Sequence, residues 1–147
     1  MSKEKIAGLL VLAIVIAVLC YYLIGGESTK DVIYQAKEDF ENENLDRCFD
    51  YLSPKYFKDH KYTPDQLKAR AKELFDLVDN IEVQIISLDI KEEGTTGWAK
   101  IGMKIFANYG NQKVIILGQP LKAFQGELFF EKEKNKWKIV RSEAFPI

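Results

Sequence analysis

The sequence predicts an α+β protein behind one apolar helix. An uncharged apolar stretch near the N-terminus is followed by three segments whose apolar residues recur every three or four positions. From Ile81 onward the apolar residues alternate with polar ones at every second position, which is typical of strands. Because the helical segments precede the strands, the order favours helices packed on one face of an antiparallel sheet.

The apolar stretch runs from Ile6 to Ile24 and is preceded by Lys3 and Lys5. As a helix it is roughly 28 Å long, close to the ~30 Å hydrocarbon thickness of a bilayer. The positive-inside rule places the N-terminus in the cytoplasm. We therefore predict a single-pass helix in the cytoplasmic (inner) membrane, with residues 1–27 as start, helix and Gly-Gly joint, and residues 28–147 as one periplasmic or extracellular domain.

A cleaved signal is the competing interpretation of this stretch. A signal peptide has a shorter apolar core followed by small residues at the cleavage site, whereas Leu23 and Ile24 precede the Gly25-Gly26 pair here. Cleavage before Cys20 would resemble a lipoprotein signal, but Leu19 stands where a small residue is usual. Both alternatives therefore fit the residues less well than an uncut anchor.

Three amphipathic helices are predicted after the anchor. Ser28 is the expected N-cap of the first helix, and Asn44 is the expected N-cap of the second, whose apolar stripe continues to Leu52. The third helix begins with Thr63 and Gln66 at capping-box spacing, with a proline between them at the first helical position.

Five strands joined by short turns are predicted after the helices. The first contains two adjacent inward positions, Ile85 and Ile86, which indicate a β-bulge that bends the strand. The expected strands are Ile81–Ile90, Trp98–Tyr109, Val114–Leu117, Phe124–Lys132 and Trp137–Ala144.

The element order and the closing stretch GELFFEKEKNKWKIVRSEAF resemble the nuclear transport factor 2-like (NTF2-like) superfamily over residues 28 to 147. Asn135 stands in its hairpin where glycine is frequent. The resemblance implies a curved sheet that wraps the helices into a cone. It leaves function open, because the superfamily includes isomerases, hydratases, polyketide cyclases, transport factors and scaffolding domains.

The mouth of the implied cone is the default ligand site. Four aromatic residues are candidates to line it: Tyr56, Trp98, Phe106 and Phe124. The alternative is that these rings fill the core.

No reactive constellation stands out. Asp89 is on the polar, outward side of its strand, His60 is the only histidine, and Cys48 is on an apolar helix face, where a buried and inert thiol is expected. The 21 basic and 22 acidic residues leave no basic field for nucleic acid. We predict no catalytic residue, no metal and no cofactor, and we favour a protein that is not an enzyme.

These observations lead to two functional hypotheses. The first is a membrane-anchored accessory or assembly subunit that binds other membrane protein subunits or its own copies; its layout is similar to bitopic assembly components of type IV secretion machines. The second is a tethered small-molecule-binding domain or enzyme that uses the cone. A cavity of several hundred Å³ with converging polar groups favours the second hypothesis, and a cone packed shut by aromatic rings favours the first.

Overall fold

The computed structural model describes residues 3–20, 27–58 and 61–145. Its helices are α1 (Lys3–Cys20), α2 (Thr29–Glu41), α3 (Leu45–Asp50) and α4 (Pro64–Leu77), with a 3₁₀ helix at Pro54–Phe57. Five strands follow: β1 (Asp79–Glu93), β2 (Thr96–Tyr109), β3 (Gln112–Leu117), β4 (Phe124–Glu133) and β5 (Lys136–Glu143). The predicted order of three helices and five strands is confirmed.

Helix α1 contains most of the apolar stretch, and its side chains at Leu10 and Ile14 are about 60% exposed. Among the described residues, no helix combines the length and the apolarity that a membrane crossing needs. The predicted span Ile6–Ile24 continues into residues 21–26, which lie outside the described residues.

The five strands form one antiparallel sheet in the order β1-β2-β4-β5, and β3 also pairs with β2. The first part of β2 pairs with β4 and its last part pairs with β3, so β3 and β4 lie end to end along the same side of β2. The register of β1 on β2 shifts between Ile85 and Ser87, which confirms the predicted bulge. The α+β class and the five-stranded antiparallel sheet are therefore as the sequence predicts.

Helix α2 is attached to β1 at both of its ends. At its start, the backbone N–H and the hydroxyl of Thr29 both donate to one carboxylate oxygen of Glu92, at 2.8 and 2.7 Å. At its end, Glu41 accepts from the backbone N–H of Val83 at 3.0 Å. A Cβ at Gly97 would lie 2.9 Å from the Thr29 methyl group, so glycine there lets the start of α2 approach the sheet.

The predicted second helix ends earlier than expected. Helix α3 ends at Asp50, and Leu52 instead forms a parallel bridge with Ile139 of β5. Ser53 donates its N–H to the Ile139 carbonyl, and Ile139 donates to the carbonyl of Tyr51. The free edge of β5 offers partners to this segment, and that long-range pairing outweighs the helical periodicity. Asn44 precedes α3 as predicted, but its side chain makes no capping hydrogen bond.

The main core lies between α2 and the sheet. Its residues with at most 3% exposure are Val32 from α2, Ala99 and Ile101 from β2, Phe130 from β4 and Trp137 from β5. A second, smaller cluster contains Val78, Ile81, Val83 and Ala107. Phe40 and Phe75 pack against it, and their rings meet each other edge to face.

Candidate functional site

A cavity of about 410 Å³ lies between the helices and the inner face of the sheet. Its size falls within the range of natural ligand pockets, which is roughly 300–1,000 Å³. The side of the cavity formed by α2 and α4 contains Val32, Ile33, Phe40, Leu67, Leu74 and Phe75. The sheet contributes alternate residues of its inner face, among them Ile85, Ile101, Met103 and Leu128.

The capping residues of α4 determine where this helix begins above the cavity. The Thr63 hydroxyl accepts from the backbone N–H of Gln66, and the Gln66 side chain accepts from the N–H of Thr63. With Pro64 at the first helical position, this is the predicted capping box. Leu67, Leu74 and Phe75 then face the sheet, but of these three only Leu67 is buried. The sheet and α4 are therefore not packed into full contact.

Polar groups are few in the cavity lining. Two basic residues contribute, Lys37 and Arg70, and two tyrosines, Tyr51 and Tyr62. Among the described lining residues there is no carboxylate and no histidine. The predicted absence of a metal stays a prediction, although no group of metal-ligating residues is found in the described part of the chain. The lining as a whole suits an apolar molecule.

The two cations differ in their partners. Lys37 forms an ion pair with Glu41 at 2.7 Å, one turn further along α2. The Arg70 guanidinium donates to the Tyr62 hydroxyl at 2.5 Å and lies 4.6 Å from the centroid of the Tyr62 ring. No carboxylate in residues 3–20, 27–58 or 61–145 lies within 4.0 Å of Arg70. Arg70 is therefore oriented by an aromatic ring while most of its donors remain available.

Tyr51 and Cys48 form the α3 side of the cavity. The Tyr51 hydroxyl donates to Asp39 at 2.5 Å, and burial, followed by this hydrogen bond, raises the Tyr51 pKa. Burial, followed by the negative charge of Asp39, raises the pKa of the Cys48 thiol to about 11. Since the thiolate is the reactive form, Cys48 is a poor nucleophile at neutral pH. This agrees with the predicted inert thiol, although Cys48 is partly exposed and not buried as expected.

None of the four aromatic residues selected from the sequence is among the residues that line the cavity. Tyr56 is buried in the core, where its hydroxyl lies 2.8 Å from the Ser142 hydroxyl. Trp98 donates its indole N–H to Glu127, and Phe106 carries the Lys113 ammonium over its ring. Phe124 contacts the ring of Phe145, which does line the cavity.

The strand alternation explains where two of these residues lie. Ala99 and Ala107 of β2 are buried on the inner face, so their neighbours Trp98 and Phe106 point to the outer face. Asp89 is exposed on β1, as predicted for an outward carboxylate. His60, together with the neighbouring Asp59, lies outside the described residues.

The fold is that of NTF2-like domains. The chain is similar to the structure of Bdellovibrio bacteriovorus Bd1075, with a TM-score of 0.63, 13% identity, and coverage of 80% of this chain and 39% of the other. A candidate scytalone dehydratase from Novosphingobium aromaticivorans gives a TM-score of 0.59 at 12% identity over 77% of each chain. A candidate dehydratase of the NTF2-like family from Streptomyces avermitilis gives 0.56 at 12% identity, covering 75% of this chain and 89% of the other.

These similarities show the fold of this chain but not its activity, because the sequence identity is below 15% in each case. The chain spans about two fifths of the length of the Bdellovibrio protein. No family model matches the sequence, and no curated protein matches it.

Proposed function

We propose that this chain is a membrane-anchored binding module, in which an N-terminal helix holds an NTF2-like domain at the outer face of the cytoplasmic membrane and the cavity binds an apolar ligand. The observation that carries the proposal is the open cavity of about 410 Å³ with its nearly all-apolar lining. The volume meets the first part of the criterion stated for the small-molecule hypothesis, and the second part, converging polar groups, is not met. The scarcity of converging polar groups favours binding over catalysis within that hypothesis.

The anchor is supported by the composition and exposure of α1. Its residues from Leu9 to Ile16 are apolar on all sides of the helix, and the large ones are 47–62% exposed. A helix that is apolar all round is stable when lipid or a protein core covers it. The preceding Lys3 and Lys5 support an orientation with the N-terminus inside.

Membrane extraction tests the anchor. Wild-type chain is expected to remain with membranes in alkaline carbonate, and protease added outside is expected to digest the domain. Ile14→Lys places a charge at the centre of the span and costs about 2.5–3.5 kcal/mol of insertion free energy, so it is expected to release a measurable fraction. Ile14→Leu is the matched control. Carbonate-soluble wild-type chain would overturn the anchor.

Two alanines of α4 provide a matched test of the cavity. Ala71 lines it, whereas Ala69 is exposed on the same helix outside it. Ala71→Trp is expected to fill the cavity and abolish uptake of apolar molecules, and Ala69→Trp is expected to leave uptake unchanged. Uptake is measured by mass spectrometry of small molecules that copurify with the full chain. Equal uptake by both variants would contradict the proposed binding site.

A protein-binding role is a second candidate, and a different surface favours it. Strand β3 pairs with β2 on one side, and within the described residues no strand pairs with its other edge. Leu121, in the turn after β3, is fully exposed, and Tyr109 before β3 is 59% exposed. Unpaired edges with exposed apolar residues can accept a strand from another chain.

Copurification tests this second role. Native mass measurement after mild detergent extraction is expected to show the chain with a companion or as an oligomer, and Leu121→Asp is expected to reduce that assembly. Leu77→Asp is the control, since Leu77 is also exposed, at 61%, but lies at the end of α4. A lone wild-type monomer at native abundance would rule the subunit role out.

A further inference from the structure

The position of Arg70 narrows the ligand class beyond an apolar molecule. Arg70 is one of two cations that line the cavity, and the other, Lys37, is already paired with Glu41. Arg70 stacks on Tyr62, which also lines the cavity, and donates to its hydroxyl. The cavity therefore combines an apolar interior with one oriented guanidinium whose charge no described carboxylate neutralises.

We infer that the cavity binds a single-chain amphiphile with an anionic head, and that Arg70 binds the head while the alkyl chain lies between α4 and the sheet. This inference rests on the proposed binding function of the cavity. A guanidinium presents paired N–H donors that match a carboxylate or phosphate bidentately. The apolar residues of α4 and β2, such as Leu74 and Met103, match an alkyl chain and offer nothing to a second polar group.

The electrostatic surroundings favour an anion over a cation or a zwitterion. Around the Tyr62 ring lie Arg70 and, at 5.5 Å from the ring centroid, the Lys61 ammonium. The Lys68 ammonium lies over the ring of Phe49, another lining residue, at 5.3 Å. Within the described residues, these three cations form one ion pair, between Lys68 and the exposed Asp46 at 3.9 Å. Three cations, Lys61, Lys68 and Arg70, therefore lie over aromatic rings on this side of the domain, and of the three Arg70 lines the cavity.

The two methionines of the chain provide a direct measurement. Met103 lines the cavity, and Met1 is the only other methionine. Full chain labelled with ¹³C at the methionine methyl groups is placed in phosphatidylcholine nanodiscs and titrated with dodecanoate, dodecyl phosphate or dodecanol. The Met103 methyl resonance is expected to shift with both anions. Whichever anion saturates at the lower concentration distinguishes a fatty-acid head from a phosphate head.

Two charge-neutralising variants on α4 test the role of Arg70. Arg70→Gln is expected to weaken apparent binding of the anions about tenfold or more and to leave dodecanol binding unchanged, because it removes a charge-assisted hydrogen bond. Lys72→Gln is the control, since Lys72 is exposed and does not line the cavity. Comparing variants with the same ligand cancels partition of that ligand into the disc.

Other results would contradict either the anionic amphiphile alone or the binding function of the cavity as well. Suppose that dodecanol shifts the Met103 resonance in wild type and in Arg70→Gln, and that Arg70→Gln does not change binding of the anions. The cavity then binds neutral apolar molecules, and the inference fails while the proposed function stands. If no amphiphile shifts the Met103 resonance, the cavity is not a ligand site and both fail. A Met103 shift that follows protein concentration without any amphiphile would assign the cavity to a second copy of the chain.

Discussion

The two helices that cover the sheet are held in different ways. Helix α2 is fixed to β1 by carboxylates at both ends, and it buries Val32 and Ile33 against the sheet. In the described part of the chain, no side-chain hydrogen bond joins α4 to the sheet, and its Leu74 and Phe75 stay half-buried over the cavity. Helix α2 therefore packs closely on the sheet, whereas α4 leaves an open cavity between itself and the same sheet.

The largest expected difference between the two sides is in side-chain truncation. Phe130→Ala removes a ring with 1% exposure from the closed core and is expected to cost about 3–5 kcal/mol of unfolding free energy. Phe75→Ala, on the open side, is expected to cost less than half as much because its ring already borders empty space. Urea unfolding of the detergent-solubilised chain, followed by tryptophan fluorescence, measures both. Equal costs would contradict the comparison.

The next largest expected loss of unfolding free energy comes from removing the attachment of α2 to β1. Glu92→Ala would leave the fully buried N–H and hydroxyl of Thr29 without their acceptor, at an expected cost of about 1–3 kcal/mol. Glu92→Gln keeps an acceptor oxygen and is expected to recover part of that loss. Lys68→Ala, which breaks the exposed pair between α4 and Asp46, is expected to cost at most about 1 kcal/mol. The same urea series checks the order of the three variants.

Removing the cap of α4 should loosen the cavity side selectively. Thr63→Ala is expected to cost about 1 kcal/mol, because one N-terminal N–H of α4 loses its side-chain acceptor. Hydrogen exchange is expected to speed up in α4 and to stay unchanged in α2. Ser28→Ala, which removes the corresponding cap of α2, is the matched control. Equal acceleration in both helices would show that the two sides unfold together.

The smallest expected effect concerns the Cys48 thiol at ordinary pH. Its pKa is raised to about 11 in the folded chain from an ordinary value of 9.0, so alkylation of Cys20→Ser chain is expected to be slow at pH 8 and to rise toward pH 11. The sign for stability follows from proton binding: the contribution is complete below pH 9 and is lost as pH rises toward 11. Fast alkylation of folded chain at pH 8, at the rate of urea-unfolded chain, would contradict the burial of this thiol.

Local sequence signals predicted the elements well. The Thr63 capping box, the Ser28 N-cap and the bulge at Ile85–Ile86 all depend on residues within a few positions of each other. The predicted end of the second helix is wrong because Leu52 pairs with Ile139, which lies far along the chain. Periodicity contains no information about such a partner.

The lining of the cavity was harder to predict than the fold. Strand alternation alone would have placed Trp98 and Phe106 on the outer face, since Ala99 and Ala107 are inward. Arg70 and Met103 meet at the cavity only because α4 packs across the sheet, and no spacing in the sequence encodes that contact. The space between them depends on how closely α4 approaches the sheet, which is a property of three-dimensional packing.

The Thr29–Glu92 attachment also has a mechanical consequence. Tension applied to the chain on the N-terminal side of Ser28 enters the domain at Thr29, whose two hydrogen bonds pass the load directly to the end of β1. The pull is therefore shared between helix α2 and the strand ladder of β1 and β2 before either gives way. In a pulling experiment Glu92→Ala should lower the rupture force, since α2 could then peel off residue by residue.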